Sequence, residues 1–120
     1  MPFKFEKLDI WKLAIDYAND VHLLTKTFPK DEMFNLSSQF KRAADSISLN
    51  ISEGSIGQSN LEQKRFLGYA IRSIAECVNC LYLSIKRGYI TQQQFDEFYK
   101  RSEELFAKTM KFRSRINSTE

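Results

Sequence analysis

Two cysteines three residues apart, Cys77 and Cys80, have the spacing that most directly suggests chemistry. A C-x-x-C pair holds zinc when two further ligands are at hand. It carries thiol–disulfide exchange when it opens a helix whose dipole lowers the thiol pKa. This chain has a single histidine, His22, and the pair lies in the middle of a helical pattern, so the cysteines read as core or interface residues. His22 flanks the apolar stripe of the first helix, with no serine or cysteine in a nucleophile motif. Glu103 and Glu104 are adjacent, and on a helix adjacent side chains diverge. G-S-I-G at 54–57 lacks the lysine and the length of a phosphate-binding loop. These residues predict no enzyme, no metal and no cofactor.

A polar stripe offers a different kind of site. Arg42, Ser46, Asn50 and Glu53 are spaced four, four and three apart and share one helix face. Serine and asparagine are indifferent helix formers, so their alignment implies partners. The stripe reads as a polar flank bonded to a neighbouring helix; contact with a ligand or partner is the alternative. On the third helix, Arg72, Ser73 and Glu76 are the matching polar groups. A hairpin turning about residue 57 puts Arg42 level with Arg72 and predicts an ion pair between Arg42 and Glu76.

Charge points to a third possibility. The net charge of +3 is uneven: residues 1–60 carry seven Lys/Arg against eight Asp/Glu, and residues 61–120 carry eleven against seven. Lys108, Lys111 and Arg115 recur at helical spacing. With Arg65, Arg72 and Arg113 they are the candidate nucleic-acid contacts. On a single chain they form a modest solvated patch; repeated about a symmetry axis they would make an anion-binding surface.

The elements that must position these residues are helices. The 120 residues fit one domain over 1–120 with one core. Only two prolines and four glycines interrupt it. A short lead, 1–8, has Phe3, Phe5 and Leu8 to tie it down. The first helix starts at Asp9, as cap or first-turn acid, and its stripe (Trp11, Ala14, Ile15, Ala18, Val21, Leu24, Phe28) runs to Pro29. Met33 and Phe34 predict a loop that packs down. Ser37 is the expected cap of the second helix, whose apolar face is Leu36, Phe40, Ala43, Ala44, Ile47 and Ile51. Gly54 is expected to end it in a left-handed conformation. Ser59 and Glu62 form a capping box for a third helix of about 28 residues, closed by Gly88. Thr91 and Gln94 form another, for a fourth helix carrying Phe95, Phe98, Leu105, Phe106, Thr109, Phe112 and Ile116. A polar tail, 117–120, is expected to fray.

Four amphipathic helices with short connections predict an all-α, antiparallel up-down-up-down four-helix bundle. Tyr17, Tyr69, Tyr82 and Tyr99 fall off the main stripes, and Tyr69 and Tyr82 widen the third helix's apolar arc as a subunit interface would. No run of eighteen apolar residues marks a membrane span. The start, MPFKFEKLDIWK, lacks a signal peptide's apolar region. A cytoplasmic protein with no membrane partner is expected.

The stretch L-S-S-Q-F-K-R-A-A-D-S-I-S-L-N-I-S-E-G at 36–54 resembles the small four-helix-bundle proteins encoded in intervening sequences of bacterial 23S ribosomal RNA genes. Gln39, Arg42, Ser46, Asn50, Glu53 and Gly54 meet that family's pattern. L-D-I-W-K-L-A at 8–14, F-P-K-D-E at 28–32 and R-F-L-G-Y-A-I-R-S-I-A-E at 65–76, ending on Glu76, are also similar. In the last the family's A-R-G-S reads A-I-R-S. The resemblance implies the bundle and a structural role for the motif. A related group, the accessory proteins of diversity-generating retroelements, are pentamers that bind nucleic acid and a reverse transcriptase. The resemblance therefore implies a homo-oligomer, a pentamer in the favoured case, with RNA or DNA and a reverse transcriptase as candidate partners. A protein-interaction scaffold without nucleic-acid binding is the alternative.

Overall fold

A computed structural model describes residues 2–117; the expected tail lies outside them beyond Asn117. Four helices carry the chain: α1 (Asp9–Thr25), α2 (Leu36–Ser55), α3 (Asn60–Lys86) and α4 (Gln92–Ser114). Short 3₁₀ turns at Lys4–Lys7 and Lys30–Glu32 precede α1 and α2. No strand occurs among the described residues.

Neighbouring helices run antiparallel. His22 of α1 meets Asp45 of α2, while Ile15 shares a groove with Leu49. Ser46 of α2 meets Ser73 of α3, and Gly54 lies against Phe66. Tyr82 of α3 packs on Phe95, whereas Lys64 reaches Ile116 beyond α4. Tyr17 of α1 bonds Ser102 of α4, and Ile10 lines a groove with Phe112. In every pair, numbers rise along one helix as they fall along the other. The molecule is accordingly a rod of 47 × 23 × 22 Å.

The core is built from Ala14, Tyr17 and Val21; Phe40, Ala44, Ile47 and Ile51; Leu67, Ala70, Ile74, Cys77 and Leu81; Phe98 and Leu105. Tyr17 belongs here rather than off the stripe. Its hydroxyl shares a hydrogen bond with Ser102 Oγ at 2.8 Å, which satisfies the one polar atom that burial would penalise. Arg101 covers the seam, its guanidinium over the Tyr17 and Phe98 rings and on Asp20 at 2.8 Å. Ile15 and Phe106, expected in the stripes, are exposed.

Several helix ends depart from expectation. α1 stops earlier, at Thr25, where the Thr25 and Thr27 hydroxyls donate to the carbonyls of His22 and Leu24. Ser37 does not cap α2. Asn35 holds the cap position, and the buried Glu32 Oε1 accepts from the Leu36 N–H at 3.3 Å. Met33 and Phe34 do not pack down; Phe34 is 92% exposed, and the Glu32 carboxylate anchors the turn instead. Gly54 does not end α2 in a left-handed conformation. It is helical, and a Cβ there would meet Phe66 Cβ at 2.9 Å and the Gln63 carbonyl oxygen at 3.2 Å. The glycine serves the close approach of α2 to α3.

Other ends follow local chemistry. Ser59 accepts from the Glu62 N–H at 3.1 Å, though the Glu62 carboxylate turns to the Gln58 N–H. Gly88, at φ +77°, closes α3: its N–H bonds Ile85 and the Tyr89 N–H bonds Ser84, the Schellman pattern. Thr91 and Gln94 complete a reciprocal capping box.

Candidate nucleic-acid interface

The antiparallel arrangement brings the start of α1 beside the end of α4, and both carry lysines there. Lys108, Lys111 and Arg115 share one face of α4. They line a groove of about 470 Å³ whose other wall is Lys7, Leu8, Asp9 and Ile10. All four cations are exposed. Lys108 pairs with Glu104 one turn back at 3.0 Å. Lys7, Lys111 and Arg115 make no ion pair among the described residues. Asp9 is the single carboxylate in the lining. Lys7 was missed in the sequence because it sits on a short 3₁₀ turn with no periodicity, in the half of the chain where acids outnumber bases.

The other basic candidates divide. Arg65 and Arg72 stand in solvent on α3 and do not line the groove. Arg113 is half-buried, and its Nε–H donates to the Lys64 carbonyl at 2.8 Å. Its guanidinium crosses α3 at Gly68, where a Cβ would stand 3.8 Å from Nε. Arg113 therefore ties α4 to α3 as well as adding charge.

In the motif of α2, Ser46 donates to the Ala43 carbonyl at 2.9 Å and bonds the Ser73 hydroxyl across the helix pair. Asn50 donates back to the Ser46 carbonyl at 2.8 Å. Gln39 is half-buried, while Arg42, Glu53 and Glu76 are exposed. The expected Arg42–Glu76 ion pair is not made. The helices come close along the seam, with Ser46 against Ser73 and Gly54 against Phe66. These contacts put Glu76 nearly level with Arg42, so register does not separate them; both long side chains stand in solvent, where such a pair contributes little.

Elsewhere, Cys77 and Cys80 are free thiols with no exposed surface. Burial, and secondarily the neighbouring Cys80, pushes the Cys77 thiol far above its usual range. Cys80 is pushed up to about 11, by burial and then by Glu76. Both are held as thiols at neutral pH, the reverse of an activated pair. His22 Nε2 lies 3.0 Å from both Asp45 carboxylate oxygens. No cluster of three His, Cys, Asp or Glu side chains that could hold a metal occurs among the described residues. None of their helices is long and apolar enough to cross a membrane.

At the far end of the rod is a group the sequence reading did not single out. Glu32 Oε2 accepts from Arg87 at 3.0 Å and from the Tyr89 hydroxyl at 2.7 Å, while Oε1 takes the Asn35 side chain at 2.9 Å. The Tyr89 bond, chiefly, holds this carboxyl below its usual range against the opposing effect of desolvation. The same bond raises the Tyr89 phenol.

An apolar strip runs along the outer face of α3 and α4. Tyr82 packs edge-on against Phe95 (5.0 Å) and Tyr99 (6.4 Å), and the exposed Phe106 and Met110 continue the strip along α4. Beside it, Ala75, Val78, Tyr99, Phe106 and Ala107 line a shallow groove. Tyr69 is exposed further along α3, edge-on to Phe66.

A family model described as 23S rRNA-intervening sequence protein matches residues 6–111. No curated protein matches the chain. Among solved structures, the fold is similar to a protein of unknown function from the S23 ribosomal protein family of Bacteroides thetaiotaomicron. The identity is 25%, over 86% of this chain and 96% of that one, with a TM-score of 0.80.

Proposed function

The chain belongs to the 23S rRNA-intervening sequence protein family, and from that premise we propose that it is a non-enzymatic, homo-oligomeric bundle that binds RNA or DNA through its cationic groove. The observation that carries this reading is the convergence of Lys7, Lys108, Lys111 and Arg115 from two distant segments on one groove. Long cationic side chains of this kind contact phosphates and position a strand without reading its bases. Self-association is supported by the apolar face of Tyr82, Phe106 and Met110, which a monomer leaves in water. A pentamer is favoured by family resemblance alone. The same resemblance makes a reverse transcriptase the protein partner if the chain serves a retroelement. A cytoplasmic location accords with this role.

A second reading, an interaction scaffold without nucleic-acid binding, rests on the Tyr82–Phe95–Tyr99 cluster. Replacing Lys108, Lys111 and Arg115 together by glutamine separates the two. Nucleic-acid binding is lost under the first reading; under the second, partner binding survives and there is no nucleic-acid binding to lose.

A further inference from the structure

A second cationic groove lies at the opposite end of α1, between its last turn and the first two turns of α2. It encloses about 380 Å³ and is lined by Lys26, Lys30 and Lys41, with His22 and Ser37 among the polar groups. No carboxylate lines it. Of the nearby acids, Asp45 pairs with the groove-lining His22 Nε2, Glu32 is held by Arg87 and Tyr89, and Asp31 beside Lys30 is exposed. None of the three lysines makes an ion pair among the described residues.

Ser37 carries the argument. It is 6% exposed, it lines the groove, and its hydroxyl makes no hydrogen bond within the protein. Its Oγ is not sealed in the core but opens onto the groove, so the hydroxyl is free to donate to a group bound there. It lies in the first turn of a twenty-residue helix. Glu32 takes the Leu36 N–H, while the next two, on Ser37 and Ser38, have no partner among the described bonds. Helix dipole, free N–H groups, hydroxyl and three ammonium groups together are the donor set that a phosphate oxygen cluster requires.

We propose that the groove between the end of α1 and the start of α2 binds a phosphate group, held by Lys26, Lys30, Lys41 and the Ser37 hydroxyl. The phosphate belongs either to a nucleic-acid backbone or to a small phosphorylated ligand. This site is separate from the groove of Lys7 and Lys111, and either can fail without the other.

The test titrates the isotope-labelled full chain with inorganic phosphate at low ionic strength and follows backbone amide resonances. The Ser37 and Ser38 amides should shift saturably, and an equal concentration of chloride should not move them. The Lys30→Gln, Lys41→Gln double variant should weaken phosphate binding by about tenfold or more, and Ser37→Ala by about threefold. Lys111→Gln should leave it unchanged. The amide dispersion in the same spectra verifies that each variant is folded. Shifts produced by a short DNA strand lacking terminal phosphates assign the backbone source. Shifts produced by adenosine monophosphate but not by the strand assign the small ligand. Absence of a saturable shift, or unaltered affinity in the double lysine variant, overturns the proposal.

Discussion

The Tyr89 hydroxyl donates to Glu32 Oε2 at 2.7 Å, joining the turn before α2 to the turn before α4 across one end of the bundle. With Arg87 on the same oxygen, and Asn35 and the Leu36 N–H on the other, this carboxylate both caps α2 and clasps two loops. Hydrogen bonds to the charged form depress its pKa. A depressed carboxyl stabilises the fold above its unfolded value, near 4.5, and that contribution is lost as pH falls through the lower folded value. Glu32→Gln should therefore melt below the wild type at neutral pH. The gap should close as the solution is acidified below 4.5. Thermal unfolding followed by circular dichroism across that range measures it; a gap independent of pH would contradict the assignment.

Gly54 in the last turn of α2 and Gly88 just after α3 are needed for different reasons, and substitution separates them. Gly54→Ala should cost about 1–3 kcal/mol, because its methyl would press on Phe66 and the Gln63 carbonyl. Gly88→Ala should cost about 1–2 kcal/mol from the left-handed backbone alone, since a Cβ there meets nothing. Asparagine at 88 should recover much of that loss, while asparagine at 54 should be worse than alanine. Urea unfolding of the four variants decides; recovery at 54 would mean that space is not what limits it.

Cys77 and Cys80 should behave as inert core residues. Both thiols are buried and their pKa values raised, so alkylation by iodoacetamide at mildly alkaline pH should be slow in the native protein and fast in denaturant. Mass spectrometry before and after unfolding reads the label. A disulfide formed in the native state under oxidised glutathione would restore the redox reading of the pair.

Most of the bundle was legible because its signals are local. Three-and-four spacing marked the four helices, and Ser59, Gly88 and the Thr91–Gln94 pair marked their ends through bonds that span at most five residues. What failed depends on contacts between distant segments. The α2–α3 register follows close contacts between the helices, Ser46 on Ser73 and Gly54 against Phe66, and a count outward from the turn does not reveal it. Glu32 looked like one acid among several; its role depends on Arg87 and Tyr89, which are close only once the bundle has formed. The α4 half of the cationic groove was legible as a spaced triplet. The Lys7 half was not, because the lead that carries it is placed by packing, with Phe5 against Trp11.

Arg113 bears on how the nucleic-acid proposal is tested. Its bond to the Lys64 carbonyl makes Arg113→Ala a variant that loosens the α3–α4 end, so it confuses stability with binding. Lys111 and Arg115, exposed and without ion pairs among the described residues, are the cleaner positions. Lys111→Gln with Arg115→Gln should leave unfolding unchanged within about 0.5 kcal/mol and lower the salt dependence of binding.

The most direct measurement is fluorescence anisotropy of a structured RNA and of a duplex DNA titrated with the full chain at about 50 and about 200 mM salt. Engagement of the four groove cations with duplex phosphates predicts affinity falling about a hundredfold between the two conditions, and less in the Lys111→Gln, Arg115→Gln variant. Absence of binding to either nucleic acid at the lower salt would contradict the account and leave the Tyr82–Phe95–Tyr99 face as the functional surface.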